Sequence, residues 1–153
     1  MTKRAKWILI AVVVVAVVVP IGVVSLAVGL AIYGHNQASI AGNQGATAMN
    51  LQSISVAQVQ YYTEHGNFGT FDQLVDSRLL SQSFAEAKPI VYGYVYDLKV
   101  RPASVGQKST FTLNADPESP DNGTKHFYID DTSSTIHVHP DRPANANDPP
   151  RVR

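Results

Sequence analysis

Histidine is the residue type in this sequence with the clearest capacity for chemistry. The segment HFYIDDTSSTIHVH, residues 126–139, carries three of the five histidines in the chain. A four-residue turn at DTSS predicts a hairpin in which His126 pairs with His139 and Tyr128 with His137. Side chains alternate along a strand, so these four share one face of the hairpin. The opposite face is predicted to point into the core and carries Phe127, Ile129, Ile136 and Val138.

The candidate metal ligands are His126, His137 and His139. Imidazole binds Zn²⁺ and Cu²⁺, and cross-strand neighbours lie about 5 Å apart at Cβ. The alternative is a half-exposed polar face that contains histidine and binds no metal. A calcium site is the second candidate, in a loop whose spacing does not match an EF-hand, so a solvated loop is the alternative there. The oxygen-bearing residues of that loop are Asp116, Glu118, Asp121 and Asn122.

Composition excludes several other kinds of site. The chain has no cysteine, and therefore no disulfide framework, thiolate zinc site, iron–sulfur cluster or cysteine nucleophile. The sequence contains no nucleophile elbow, phosphate-binding loop or HExxH motif, and we predict that the protein is not an enzyme. Twelve basic and twelve acidic residues give a formal net charge of zero, which argues against a nucleic-acid partner.

The charges are unevenly placed along the chain. Lys3, Arg4 and Lys6 precede a segment from Trp7 to Thr63 that contains no Lys, Arg, Asp or Glu. The remainder carries 9 basic and 12 acidic residues. The formal net charge of zero is therefore the sum of a +3 tip, an uncharged segment of 57 residues and a −3 outer part.

The apolar run at residues 7–33 predicts a transmembrane helix. Its 27 residues would extend about 40 Å, enough to cross a hydrocarbon layer of about 30 Å with some tilt. A cleaved signal peptide is the rival interpretation, but its apolar region would be roughly half as long. The basic tip, residues 1–6, places the N-terminus in the cytoplasm by the positive-inside rule. The protein is therefore expected in the inner or cytoplasmic membrane, with its C-terminal domain periplasmic or extracellular.

Residues 34–65 are predicted to form a stalk that becomes an amphipathic helix. Gly42 and Gly45 weaken the helical pattern in the first third of the segment. From Ala46 onward an apolar stripe recurs every three or four residues, which is typical of a helix packed on one face. The stripe consists of Ala48, Leu51, Ile54, Ala57 and Tyr61, and it is expected to be widened by Met49, Val56 and Val59.

A small sheet domain is predicted at residues 66–139. Thr70 is positioned to cap a short helix, with Gln73 as its capping-box partner. Alternating patterns predict strands at Ile90–Val100, Thr110–Ala115, His126–Asp130 and Thr135–His139. The fold class is therefore α+β: a long N-terminal helix, transmembrane and then amphipathic, packed on an antiparallel sheet of three or four strands. The Pro- and Asn-rich tail, residues 140–153, is expected to be extended or disordered.

From Ala46 onward the chain resembles type IV pilins and type II secretion pseudopilins. The longest matching stretch, AMNLQSISVAQVQYYTEHGNFGTFDQLV, is similar to the end of a pilin's long helix and the loop after it. Shorter stretches, YGYVYDL, HFYIDDTSSTIHV and DRPANANDPP, resemble the sheet and the C-terminus of pilin-like proteins. The usual glycine cleavage site before the apolar run and the glutamate at mature position five are not found.

The resemblance implies a membrane-anchored structural or interaction protein with a pilin-like fold. Its implied partners are the membrane and further copies of itself, or the components of a type IV pilus or type II secretion-like assembly. The missing processing residues favour an uncleaved anchor. The alternative function is a single-pass anchored extracytoplasmic binding module for a metal ion, such as zinc or calcium, or for a small ligand.

Overall fold

A long helix followed by a five-stranded antiparallel sheet makes up the part of the chain that the computed structural model describes, residues 36–152. This is the α+β class expected from the sequence. The predicted basic tip and transmembrane helix lie outside the described residues. Within residues 36–152, no helix combines the length and the apolar character needed to cross a membrane.

The elements follow one another in simple order. Helix α1 covers residues 36–65, and the short α2 and a single 3-10 turn follow it. The sheet order equals the chain order, and every neighbouring pair is antiparallel. The bounds are α2 Phe71–Asp76, the 3-10 turn Gln82–Phe84, β1 Ile90–Val91, β2 Tyr94–Arg101, β3 Thr110–Pro117, β4 His126–Asp130 and β5 His137–His139.

The predicted apolar stripe of α1 is confirmed. Its five members are all buried, and the helix runs without interruption through Gly42 and Gly45. Ala48, Leu51 and Ile54 join the main core with the inward side chains of the sheet. Ala57 and Tyr61 pack with Leu74 of α2 in an adjoining cluster. The helix therefore supplies the second layer that so small a sheet needs in order to bury its apolar face.

The prediction that three further apolar residues widen this stripe is wrong. Met49, Val56 and Val59 are 69%, 68% and 59% exposed. On a helix with 3.6 residues per turn they lie on the side opposite Leu51 and Ile54. Helix α1 therefore carries apolar residues on two faces, of which the domain covers one.

The short helix begins as the sequence predicts. The Thr70 hydroxyl accepts a hydrogen bond from the Gln73 amide, and the Gln73 side chain accepts one from the Thr70 amide. This capping box satisfies two backbone donors that the first turn would otherwise leave unpaired. Phe71, Leu74 and Val75 are buried on the inner side of the helix.

The segment expected to form one strand, Ile90–Val100, is instead a hairpin. Tyr92 and Gly93 form its turn with φ of 52° and 70°, so β1 and β2 fold onto each other. Two consecutive residues with positive φ are the signature of a type I′ turn. Tyr92 is exposed, whereas Tyr94 and Tyr96 are buried in the core. The regular tyrosine spacing hid the turn because the alternation continues across it.

Replacing Tyr92 by asparagine should stabilise the protein. A bulky aromatic residue is strained at positive φ, whereas Asn-Gly is a preferred type I′ sequence. Because Tyr92 is largely exposed, little packing is lost, and we expect a gain of about 1 kcal/mol in the free energy of unfolding. Chemical denaturation measures the change. The similarly exposed Ile90→Asn is the control, and an equal gain from both variants would contradict the turn-strain argument.

The β4–β5 hairpin has the predicted register. His126 pairs with His139, Phe127 with Val138 and Tyr128 with His137. The core-facing residues of this hairpin, which are Phe127, Ile129, Ile136 and Val138, all belong to or pack against the main core. Strand β3 likewise points Phe111 and Leu113 inward, as predicted, and it continues to Pro117.

The tail after β5 is packed against the domain. Ala144 and Asp148 are buried, and the backbone at Pro149–Arg151 is hydrogen-bonded to the outer edge of β5. Residues 140–152, predicted to be extended or disordered, thus form a segment with little regular secondary structure that is hydrogen-bonded to the sheet. Charged side chains within the tail provide contacts that an apolar pattern cannot reveal.

Candidate functional site

The histidines form a polar face on the β4–β5 hairpin. His126 and His139 are cross-strand neighbours, and His137 lies diagonally from His126 beside the ring of Tyr128. All of these side chains are partly buried. The hairpin register therefore brings the three predicted ligands to one face.

Two of the histidines are oriented through Nδ1. His126 Nδ1 lies 2.6 Å from Oδ1 of Asp116, and His137 Nδ1 lies 2.6 Å from the backbone oxygen of Asp148. Both partners are acceptors, so Nδ1 carries the proton in each ring and donates it. In the neutral rings, the lone pair is then on Nε2.

His139 has the opposite arrangement. Its Nδ1 accepts a hydrogen bond from the Asp141 amide at 3.1 Å. The neutral ring therefore carries its proton on Nε2, and neither nitrogen has a free lone pair while this bond is in place. His139 therefore pairs with His126 across the strands, but unlike His126 it uses Nδ1 as a hydrogen-bond acceptor.

The three predicted ligands are not assembled into one metal site. Within residues 36–152, no group of three or more histidine, aspartate or glutamate side chains is arranged to hold a metal ion. In the acidic loop, Oδ1 of Asp116 lies 2.6 Å from Nδ1 of His126, and the side chain of Asn122 lies against Gly93. The zinc and calcium sites remain predictions from the sequence.

Asp130 organises the turn at the other end of this face. Burial by itself would raise its pKa, but hydrogen bonds from the hydroxyl and amide of Thr132, with those of Tyr128 and Ser133, hold the pKa below its usual value. Burial, followed by the bond to Asp130, raises the pKa of Tyr128 to about 12. Tyr128 is therefore a hydrogen-bond donor near neutral pH and is not poised to act as a base.

The loop between β3 and β4 is bonded to α1. Asn43 Nδ2 donates to the backbone oxygen of Asn122 at 3.1 Å, and Gln44 Nε2 donates to Oγ1 of Thr124 at 3.2 Å. An open groove of about 440 Å³ lies beside this loop and is lined by His126 and Asp141 among others. The rings of Pro117, Pro120 and Pro140 and the side chain of Glu118 line the same groove.

The outer face of α1 is the second candidate surface. We define it by Met49, Gln52, Ser53, Val56 and Val59, which are all exposed. Four of them, all except Val59, line a shallow groove of about 370 Å³. The face carries no charge, which is unusual for an exposed helix surface.

The sequence pattern does not distinguish this face from the buried stripe. The apolar residues recur at the same helical spacing as the buried stripe, and periodicity alone did not separate two faces from one broad face. Burial in the folded domain separates them: Leu51 and Ile54 are fully buried, whereas Met49 and Val56 are 69% and 68% exposed.

Comparison with known proteins adds no family: no protein-family model, no curated protein and no solved structure matches this chain.

Proposed function

We propose that this protein is a membrane-anchored, pilin-like structural protein that associates through the outer face of α1. Its anchor is the apolar segment 7–33, and its helix and sheet form the extracytoplasmic domain. The supporting observation is the uncharged outer face, on which Met49, Val56 and Val59 are each more than half exposed. Isolated exposed apolar residues are common, but three on one helix face mark an interaction surface.

The charge distribution supports the same role. No Lys, Arg, Asp or Glu occurs between Trp7 and Thr63, so neighbouring copies of this helix can approach without burying unpaired charge. The anchor fixes the helices in one plane and raises their local concentration, which favours lateral association. The proposed partner is therefore another copy of the chain or a helix of similar character in a pilus or secretion-like assembly.

The anchor is tested by locating the protein and its N-terminus. We expect the full chain in the membrane fraction after alkaline extraction, with an intact mass that begins at Met1 or Thr2. A mature start inside residues 7–33 would instead show processing of the prepilin type. Recovery in the soluble fraction with an intact N-terminus would contradict the anchor.

Val56→Glu should weaken association and leave the fold intact. A carboxylate at the centre of the outer face would have to be desolvated in any helix–helix contact, whereas in the single chain it stays in water. We expect the oligomer measured by light scattering in detergent to shift towards monomer, with a change of less than about 0.5 kcal/mol in the free energy of unfolding.

Val105→Glu is the matched control, because Val105 is fully exposed in the loop between β2 and β3 and does not belong to the outer face of α1. It should leave the oligomer unchanged. Equal dissociation by both variants, or by neither, would contradict the assignment of the outer face.

An anchored binding module is the second candidate. The observation that favours it is the Asp116 carboxylate on Nδ1 of His126, an arrangement that orients an imidazole for metal coordination through Nε2. This candidate predicts saturable zinc binding by the full chain in isothermal titration, and loss of that binding in the double variant His126→Ala with His139→Ala. Absence of saturable binding, or binding that survives both substitutions, would exclude it.

A further inference from the structure

The segment after β5 turns back and lies along the outer edge of that strand. We call residues 140–152 the strap. The amide of Val138 donates to the backbone oxygen of Pro149 at 3.0 Å, and the amide of Arg151 donates to the oxygen of Ile136 at 2.7 Å. His137 and Pro150 form an antiparallel bridge between these bonds. The strap thus adds a short final strand to the sheet.

The strap also closes the sheet to further strands. In this bonding pattern the backbone of Pro150 points away from β5, towards solvent. Proline has no N–H, so the position that would donate to the next strand cannot do so. An exposed β5 edge would be a template for strand addition. The strap covers this edge, and its own outer edge cannot donate a hydrogen bond at Pro150.

An ion pair between Arg142 and Asp148, which we call the clasp, holds the strap in its reversed direction. Arg142 donates two hydrogen bonds to the carboxylate of Asp148, at 2.9 and 2.6 Å, and the Asn145 amide donates a third at 2.8 Å. Asp148 is buried, and the Arg142 guanidinium holds its pKa below the usual value. Asn114 on β3 fixes the same loop through the backbone oxygen of Ala144.

We propose that the β5 edge is a strand-addition surface for the strap of a second copy of this chain, and that the Arg142–Asp148 clasp keeps each strap on its own β5. The strap of a second copy can make the same contacts, because the strap is held on β5 mainly by backbone hydrogen bonds. The clasp closes residues 142–148 into a compact loop. Without it, the nine residues 140–148 could extend about 30 Å, enough to reach a neighbouring domain. This inference requires neither the anchor nor the outer face of α1.

Strap exchange is measurable because the chain has no native cysteine. His137→Cys and Pro150→Cys face each other in the bridge, at a separation typical of a disulfide. When both are in one full-length chain, we expect an intramolecular disulfide and a monomer. When each is in a separate chain and the two are co-expressed, the disulfide of the bridge can form only by exchange, and it joins the two chains into a heterodimer.

If the clasp keeps each strap on its own β5, removing it should increase the fraction of heterodimer. Adding Arg142→Ala to both single-cysteine chains should raise the heterodimer fraction severalfold. The control is Arg101→Ala, an exposed arginine on β2, which should have no effect. His137→Cys removes the bond to Asp148 in every background, so that loss cancels in the comparison.

Other outcomes overturn the proposal. Failure of the doubly substituted chain to form its internal disulfide would show that the strap does not lie on β5 as described. A heterodimer fraction that Arg142→Ala leaves unchanged would show that the clasp does not control exchange. Equal cross-linking of Pro150→Cys to Val105→Cys, which lies in the loop between β2 and β3 and not at the β5 edge, would show random collision.

Discussion

Replacing Gln58 by alanine should lower the free energy of unfolding by roughly 2–4 kcal/mol. Gln58 is fully buried on α1. Its Nε2 donates to the backbone oxygen of Gly69 at 2.7 Å, and its Oε1 accepts from the Gly69 amide at 2.9 Å. Alanine would leave both backbone groups of Gly69 buried without a partner. It would also detach α1 from the loop that leads into α2.

Chemical denaturation of the full chain in detergent measures this loss. Gln60→Ala is the matched control, because Gln60 is an exposed glutamine two residues further along the same helix. It should change the free energy of unfolding by less than about 0.5 kcal/mol. Similar small effects of both substitutions would show that the Gln58 bonds to Gly69 are not important for stability.

Gly123→Ala should cost roughly 2–3 kcal/mol or more, because the site has no room for a methyl group. A Cβ at this position would lie 2.6 Å from Cζ of Tyr94 and closer still to its hydroxyl oxygen. The tyrosine cannot move aside easily. Its ring is buried, and its hydroxyl donates to the backbone oxygen of Lys125 at 3.0 Å. The β3–β4 loop would have to shift away from α1.

Gly42→Ala is the matched control, since Gly42 is helical and exposed and an added Cβ would meet nothing within 4 Å. That change should be neutral or stabilising by up to about 1 kcal/mol. Combining Gly123→Ala with Tyr94→Leu should cost at least about 1 kcal/mol less than the sum of the two single changes. Additive costs would contradict a clash between these two residues.

The parts of the fold that follow from local periodicity were predictable. The α1 stripe follows from apolar residues spaced three or four apart. The inward faces of β3 and β4 follow from apolar residues at every second position. The β4–β5 register followed from one turn length, so the pairing of His126 with His139 was available from the sequence. Each of these features depends on residues close together in the chain.

The features that could not be predicted depend on contacts distant in sequence or on conformation at one residue. Gln58 and Gly69 meet only after the chain has turned, and nothing in the local pattern marks a buried glutamine. The turn at Tyr92 lacks the usual asparagine, so only the glycine after it signals positive φ. The clasp between Arg142 and Asp148 orders a segment whose composition is typical of disorder.

The same distinction explains the candidate surfaces. Alternation placed the three histidines on one face, but it could not show that His139 Nδ1 accepts from the backbone and that His126 is held by Asp116. The apolar residues on the outer face of α1 were visible in the sequence. Their exposure depends on which side of the helix meets the sheet, which is a property of the whole domain.

The most direct test of the proposed association is cysteine cross-linking in native membranes. Met49→Cys, Val56→Cys and Val105→Cys each introduce one cysteine into a chain that has none. We expect disulfide-linked dimers from the two substitutions on the outer face of α1 and few from Val105→Cys, although all three positions are exposed. Cross-linking from Val105→Cys that equals the other two, or no dimers from Met49→Cys and Val56→Cys, would contradict the account.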